Sequence, residues 1–365
     1  MPPITVLYSP LSPSILNIMM KRILLFFIGC LLMSTSANLQ AKERETYLKV
    51  LQLNIWQEGT MVKGGFEGLI ETIAQVQPDL ILMSEVRNYH GVDFLEQLKA
   101  ALQKKNLNFE GKTEWSVDVG ILSRYPILSQ DTVSGADGGG VKARIKLNEK
   151  EIVAYCAHLD YTHYACYLPR GYNGETWEKM DYPVTDRNAI EQANRASQRD
   201  EEISSFLTDA ANEKGKLLIL GGDFNEPSHL DWQENTKDLW EHRGAVVRWD
   251  CSVRLSEAGF IDSFREKYPD PLTHPGFTYP ANNPDAALKD LDWVPEADGR
   301  DRIDFIYYHA PSKKIQLKDV KIIGPKGSIS HNRRIAEEAG EDAVSVPTCT
   351  WPTDHRGILA TFHIK

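Results

Sequence analysis

A chain of 365 residues with 42% apolar, 9% aromatic and 25% charged residues has ordinary globular composition, which excludes a disordered, collagenous or disulfide-scaffold protein. Its formal net charge of −10 argues against a non-specific coat on nucleic acid, because such a chain repels polyanions at long range unless a cation or a local basic patch intervenes.

Residues 1–41 contain no Asp or Glu and only two basic residues, Lys21 and Arg22, set directly before the apolar run 23–33. With Met20 ahead and the small residues Ser34, Thr35, Ser36 and Ala37 behind, this order predicts a signal peptide over 1–41, too short to span a membrane, with 1–19 a candidate upstream mis-start. The expectation is an exported protein, periplasmic or secreted. Phe27-Ile28-Gly29-Cys30 resembles a bacterial lipoprotein cleavage box and makes Cys30 a candidate lipid anchor. That box prefers Leu where Phe27 stands, and the apolar run continues past Cys30, so soluble export is the preferred reading. Loss of the leader takes the net charge from −10 to −12. Cys156, Cys166, Cys251 and Cys349 remain, and in an oxidising compartment they allow three pairings, of which Cys156–Cys166 is the most local. No spacing among them suggests zinc.

After the leader, alternation predicts a strand over 47–55, then helical periodicity over 66–76 until Gln77-Pro78 stops it. The apolar run 80–83 reads as a strand buried on both faces, and 92–102 again carries helical spacing. Strands follow over 119–122, 141–147 and 152–157, the last two flanking the turn Asn148-Glu149-Lys150. Residues 160–185 have little periodicity and are dense in Tyr, Gly and Pro, so they are read as a specificity loop. Asp186 caps a predicted helix over 187–211, and 216–220 is a buried strand ending in Gly221-Gly222. Residues 228–300 read as loop and short helix, and strands over 303–308, 315–323 and 358–364 close the chain. No repeat or linker divides 42–365, which is taken as a single catalytic domain.

Polar clusters stand where these strands end, the place where a sheet presents side chains while holding their backbone still. In Gly221-Gly222-Asp223-Phe224-Asn225, the glycines allow a tight turn or close approach to a ligand and deliver an acceptor, Asp223, two residues from a neutral amide, Asn225. An Asx turn is the plainer alternative. Asp304 interrupts an apolar strand, and a buried Asp wants a partner. It can hold one ring nitrogen of His355 so that the other handles a proton, or it can pair with Arg302. Glu85 and Asp354 suffice for a magnesium ion, which needs one or two carboxylates plus water and phosphate oxygens. His158, at the end of another strand, can donate to a phosphate oxygen.

Taken in order, Leu53-Asn54-Ile55, Ser84-Glu85-Val86, Ala157-His158-Leu159, Gly222-Asp223-Phe224-Asn225, Arg302-Ile303-Asp304-Phe305 and Thr353-Asp354-His355 resemble the endonuclease/exonuclease/phosphatase (deoxyribonuclease-I-like) superfamily over residues 46–365. Ser123-Arg124-Tyr125-Pro126 fits the same pattern. The resemblance implies an α/β fold, a four-layer sandwich of two packed mixed β-sheets flanked by helices. It implies that Asn54, Glu85 and Asp354 hold a divalent ion, Mg2+ with Mn2+ as substitute. Asp223 would position or deprotonate the attacking water, Asn225 would stabilise phosphoryl oxygens, His158 would hydrogen-bond the phosphate, and Asp304 would orient His355. Which of Asp223 and His355 is the base stays open.

Independently of any family, hydrolysis of a phosphate ester needs in-line water, a cation against developing charge and donors on the nonbridging oxygens, and each has a candidate here. Tyr161 and Arg170 in the loop, and Tyr279 in Gly276-Phe277-Thr278-Tyr279-Pro280, are the candidate substrate contacts. The resulting expectation is an exported, magnesium-dependent phosphoesterase acting on a phosphodiester or a small phosphorylated metabolite, with no stable nucleic-acid complex at this charge. A secreted nuclease acting on DNA or RNA is the alternative enzyme. A binding module that has lost its chemistry is the non-enzymatic one, and the presence of all six clusters argues against it.

Overall fold

The computed structural model describes Pro2 and residues 45–133, 139–336 and 340–365. The predicted leader (Pro2 apart) and Cys30 lie outside the described residues. In chain order the elements are β1 (Thr46–Asn54), α1 (Gly65–Val76), β2 (Leu80–Ser84), α2 (Phe94–Gln103), β3 (Val119–Ser123), β4 (Ile127–Val133), β5 (Gly140–Leu147) and β6 (Lys150–His158). There follow α3 (Arg187–Asn194), α4 (Arg199–Ala210), β7 (Leu217–Asp223), α5 (Asp250–Glu257), β8 (Ile261–Asp262), α6 (Ser263–Lys267), β9 (Asp304–His309) and β10 (Ile315–Ile323). Short strands β11 (Ser328–Ser330), β12 (Arg333–Ile335) and β13 (Val344–Ser345) precede the last, β14 (Gly357–Ile364).

Two six-stranded mixed sheets result, ordered β13-β10-β14-β1-β2-β3 and β4-β5-β6-β7-β9-β8, beside a β11-β12 ribbon. Residue parity decides which face each side chain takes, because successive side chains in a strand point to opposite sides. Leu48 and Val50 of β1, Leu80 and Leu82 of β2, Ile152 and Ala154 of β6, Leu217 and Ile219 of β7 and Ile306 and Tyr308 of β9 pack together between the sheets. The intervening Leu51, Leu53, Ile81 and Met83 meet Leu69, Ile73, Leu95 and Leu98 of α1 and α2 on one outer face. Val153, Tyr155, Leu218 and Phe305 meet Ile203, Phe206 and Leu255 of α4 and α5 on the other. Strands apolar at both parities are thus covered on both sides, which is the four-layer sandwich the sequence implied. Among the described residues no helix is long and apolar enough to cross a membrane.

Three expectations are corrected. The helix over 187–211 is two helices: Asp186 caps the first through Ala189 N–H at 2.9 Å, but the chain breaks after Asn194. The break lets the buried Arg199 guanidinium donate to the carbonyls of Asp160, Thr162 and His163, which pins the start of the following loop to the domain. Gly221-Gly222 does not turn or approach a ligand; both residues continue β7. A Cβ on Gly221 would stand 2.5 Å from Leu82 Cδ1 of the opposite sheet and one on Gly222 only 2.0 Å from the Ala157 carbonyl oxygen, so these glycines let the layers and neighbouring strands close. Cys156, Cys166, Cys251 and Cys349 are all free thiols, Cys156 inside the sheet sandwich and Cys166 in the loop cluster beside it.

Candidate active site

At one end of the sandwich the residues facing the gap change from aliphatic to polar while keeping the same parity. Gln52 and Asn54 end β1, Ser84 ends β2, His158 ends β6, Asp223 ends β7 and Asp304 begins β9. These polar groups bind the sheets to each other. Gln52 Nε2 donates to Asp304 Oδ1 at 2.8 Å, Asn54 Nδ2 to Asp223 Oδ2 at 2.9 Å, and Ser84 Oγ to the Ala157 carbonyl at 3.1 Å. Thr353, Asp354 and His355 arrive from the segment before β14, so every one of the six sequence clusters converges on one place.

His355 Nδ1 lies 2.8 Å from Asp304 Oδ2, and its Nε2 lies 3.7 Å from Asp223 Oδ2. Burial works against the charged imidazole, but Asp304 and Asp223 overcome it and push its pKa up to about 10. The Arg302 alternative for Asp304 is not realised: Arg302 pairs with Asp231 and Asp262, each at 2.8 Å. On the other side of Asp223, His158 Nε2 stands 3.8 Å from the same Oδ2, and His158 Nδ1 is 2.9 Å from Asp118 Oδ2. Burial again opposes the charge, and the Asp118 hydrogen bond and the carboxylates around it raise His158 to about 9. Asp223 is therefore flanked by two imidazoles, each held toward its charged form by a neighbouring carboxylate. Its Oδ1 accepts the Asn225 amide N–H at 2.9 Å, and the Asn225 side chain donates one hydrogen to the Leu159 carbonyl at 2.9 Å, leaving its second for a ligand.

Glu85 Oε1 accepts from Asn54 Nδ2 at 3.1 Å and Oε2 from the Gln57 amide at 2.8 Å. That amide is aimed by an unusual backbone: Trp56, Gln57, Glu58 and Gly59 all have positive φ, 40°, 55°, 64° and 71°, a left-handed turn that costs roughly 1–2 kcal/mol per non-glycine residue. Glu85 itself has φ 69°. Strain of this kind persists where the surroundings over-determine it. Asp354 is 5% exposed; burial pushes its carboxyl up to about 7, against the pull of His355 and with added repulsion from Glu85. Two carboxylates at one largely buried spot, with the Asn54 side-chain amide beside them and its oxygen accepting from Trp56 N–H at 2.9 Å, supply the hard oxygen donors that a divalent cation takes. Asn54, Glu85 and Asp354 thus fit such an ion. Asp223, Asp304 and His355 also bring ligand atoms within 4.8 Å of one another, but both Asp304 oxygens are already taken by Gln52 and His355, so that group is arranged for proton handling.

Glu85, His158, Asp223, Asn225, Asp354 and His355 line a cavity of about 730 Å³ whose other walls include Trp56, Tyr161, Trp177, Tyr279, Asp292 and Trp293. Tyr161 and Tyr279, candidate substrate contacts, line this cavity. Arg170 does not. It is 2% exposed, its Nη1 sits 2.7 Å from Asp301 Oδ2, and its guanidinium lies 5.6 Å from the ring centroids of Tyr167 and Trp232. A buried cation with a buried acid braces the loop from inside, and Tyr164, Cys166 and Tyr167 join Trp232, Trp249 and Tyr279 in one apolar cluster.

The sequence reading missed Asp118, Arg87 and Gln52, and the cavity residues Trp177, Asp292 and Trp293. Asp118 and Gln52 had a signal, since each is a polar residue in or beside a predicted strand, as Asp304 is. Asp292 and Trp293 had none, because they sit in an aperiodic stretch.

The profile of the Endonuclease/Exonuclease/phosphatase family matches residues 51–355. An uncharacterized protein of Caenorhabditis elegans, F14F9.5, is 30% identical over 275 residues, covering 74% of this chain and 81% of that protein. Among solved structures, Danio rerio TDP2 complexed with a single-strand DNA product is similar at a TM-score of 0.50 and 14% identity, over 87% of this chain and 99% of that one. The human Nocturnin catalytic domain with bound sulfate has a TM-score of 0.48 and 13% identity, over 87% of this chain and 97% of that one.

Proposed function

Because the chain belongs to the endonuclease/exonuclease/phosphatase family, metal-dependent hydrolases of phosphate ester bonds, we propose that it hydrolyses a phosphodiester or a small phosphorylated metabolite, with Mg2+ as the working ion and Mn2+ as substitute. The observation that carries this reading is Asp223 between two histidines, His355 held by Asp304 at 2.8 Å and His158 by Asp118 at 2.9 Å, with Asn54, Glu85 and Asp354 beside them.

Asn54, Glu85 and Asp354 would hold the ion, which when bound offsets the negative charge developing on the phosphoryl group. The residues of the chain divide the remaining work. Asp223, whose carboxyl burial pushes up from the usual range, is the proton acceptor in this reading: it aligns a water and takes its proton as the water oxygen bonds to phosphorus and the ester P–O bond breaks. His158, His355 and the second amide hydrogen of Asn225 donate to the nonbridging oxygens, where charge accumulates. The departing oxygen, on the far side of phosphorus, takes its proton from water. Asp304 fixes the tautomer and angle of His355. The leader with Lys21 and Arg22 before its apolar run supports export, and N-terminal sequencing of the secreted or periplasmic protein tests it.

The test of function is a panel of plasmid DNA, RNA, sphingomyelin, inositol phosphates, and bis- and mono-(4-nitrophenyl) phosphate, each with magnesium and with chelator. Turnover that needs the metal is expected. Cleavage of the bis ester alone assigns a diesterase, preferential degradation of DNA or RNA assigns the nuclease alternative, and silence on every ester with every divalent metal leaves a binding module.

A further inference from the structure

The cavity holds polar groups that phosphoryl transfer does not use. Tyr279, whose ring lies 4.9 Å from that of His355, is 3% exposed; the Trp293 amide faces its hydroxyl oxygen, while the hydroxyl proton has no acceptor among the described residues. Asp292 is 6% exposed. Its Oδ1 accepts from Val294 N–H at 3.1 Å and Tyr167 O–H at 3.2 Å, whereas Oδ2 has no partner among the described residues. Leaving a buried polar atom bare costs about 1–3 kcal/mol, more for a charged group. Beside these groups stand aromatic faces that folding alone would cover. Trp293 is 47% and Tyr161 52% exposed, with ring centroids 5.6 Å apart, and Trp177 meets Trp293 edge to face at 4.6 Å. Trp177 holds a left-handed backbone, φ 62°, a conformation rare for a bulky residue.

We propose that Asp292 and Tyr279, walled by Trp177, Trp293 and Tyr161, form a subsite for a polyhydroxylated ring, a sugar or cyclitol, carried on the phosphate that the reacting residues hold. This rests on the phosphoester-hydrolase reading of the same cavity. The C–H face of such a ring stacks on indole or phenol, while its peripheral hydroxyls donate to Asp292 Oδ2 and accept from the Tyr279 hydroxyl. Other groups fill the trough less well. A quaternary ammonium is drawn to aromatic faces and to a carboxylate, but it has no N–H or O–H for Oδ2. An acyl chain leaves both polar atoms bare. A site built to hydrogen-bond a hydroxyl discriminates strongly against an analogue without it, because the buried partner is then stranded.

The experiment compares kcat/KM of the full chain, with magnesium, on hydroxyl-free 4-nitrophenyl and bis(4-nitrophenyl) phosphate, on myo-inositol 1-phosphate and ribose 5-phosphate, and on phosphocholine. A ring ester is expected to exceed the aryl esters by about a hundredfold. Asp292→Ala and Trp293→Ala are each expected to lower the ring-to-aryl ratio at least tenfold, and the inositol and ribose arms separate a cyclitol from a sugar. Tryptophan fluorescence titrated with myo-inositol, ribose and choline reads binding directly, with quenching expected from a polyol only. If no ester is turned over, the hydrolase reading falls and this one with it. If aryl esters are cleaved but ring esters do no better, if the ratio ignores both variants, or if choline alone quenches, the subsite is wrong while the hydrolase stands.

Discussion

Asp118 Oδ2 lies 2.9 Å from His158 Nδ1, and the same oxygen receives Arg87 Nη1 at 2.8 Å, so one carboxylate aims two cations at the edge of the catalytic cavity. Burial alone would discharge His158; Asp118 is what keeps it charged up to about pH 9. The protonated form is the donor, so kcat/KM should decline as pH rises through about 9. In Asp118→Asn the decline should move down by at least about one unit, since burial is then opposed only by the more distant carboxylates. The pH-rate profile and the His158 Cε1 proton titration by NMR check this, and an unmoved limb with an unmoved resonance counts against it.

Gln52 and Asp304 couple the sheets to the reacting histidine through one carboxylate, 2.8 Å to each side. Asp304→Asn should lower kcat by about 10²–10⁴-fold with little change in KM, because the imidazole loses its orientation and its charge. Gln52→Ala leaves a buried carboxylate oxygen bare and should cost about 1–3 kcal/mol in urea unfolding, with a smaller effect on rate. His355→Ala and Asp223→Asn should abolish turnover while circular dichroism stays native. A purified variant of either that retains near wild-type activity sinks the assignment of these residues.

Metal should stabilise the folded protein through Glu85 and Asp354. At a hundred times its Kd, an ion bound only to the native state adds about 2.7 kcal/mol and raises Tm. Chelator should remove the gain, and Glu85→Gln or Asp354→Asn should blunt it. Equal thermal shifts in wild type and both variants would place the ion elsewhere.

Acid should unfold the protein partly through Glu213, which is 3% exposed and joined to Arg144, to Lys216 at 2.9 Å and to Lys142 at 3.4 Å. Burial opposes ionisation, but Arg144 and Lys216 lower its pKa from 4.5 to about 2. The sign follows: the carboxylate's contribution is complete above pH 4.5 and fades as pH falls toward about 2. Allowing for the partial exposure of Arg144 and Lys216, it is worth ~2 kcal/mol. In Glu213→Gln, stability between pH 5 and 2 should fall less steeply; parallel curves would remove this residue from the acid transition.

Most of the architecture was legible because runs such as 80–83 and 217–220 are apolar at both parities, which demands cover on two faces. The reacting residues were legible for a related reason: Asn54, Asp223 and Asp304 are polar at positions whose parity faces the other sheet. What escaped depends on tertiary partners. The helix break after Asn194 serves Arg199's three carbonyl acceptors from a distant loop, and nothing in 187–211 announces it. Arg170 looked like a ligand contact because a lone Arg in a Tyr-rich loop carries no mark of the Asp301 that buries it. The cavity's aromatic wall comes from aperiodic segments, where spacing carries no information about direction.

The pairing of β1 with β14 has a consequence for biosynthesis. Strand β1 lies between β2 and β14, which is made some three hundred residues later, and the turn leading into β14 delivers Asp354 and His355. A nascent chain that has not yet made residues 354–365 has a gap in the middle of one sheet and lacks His355, one of the two imidazoles beside Asp223. The candidate site is therefore completed only when β14 takes its place between β1 and β10.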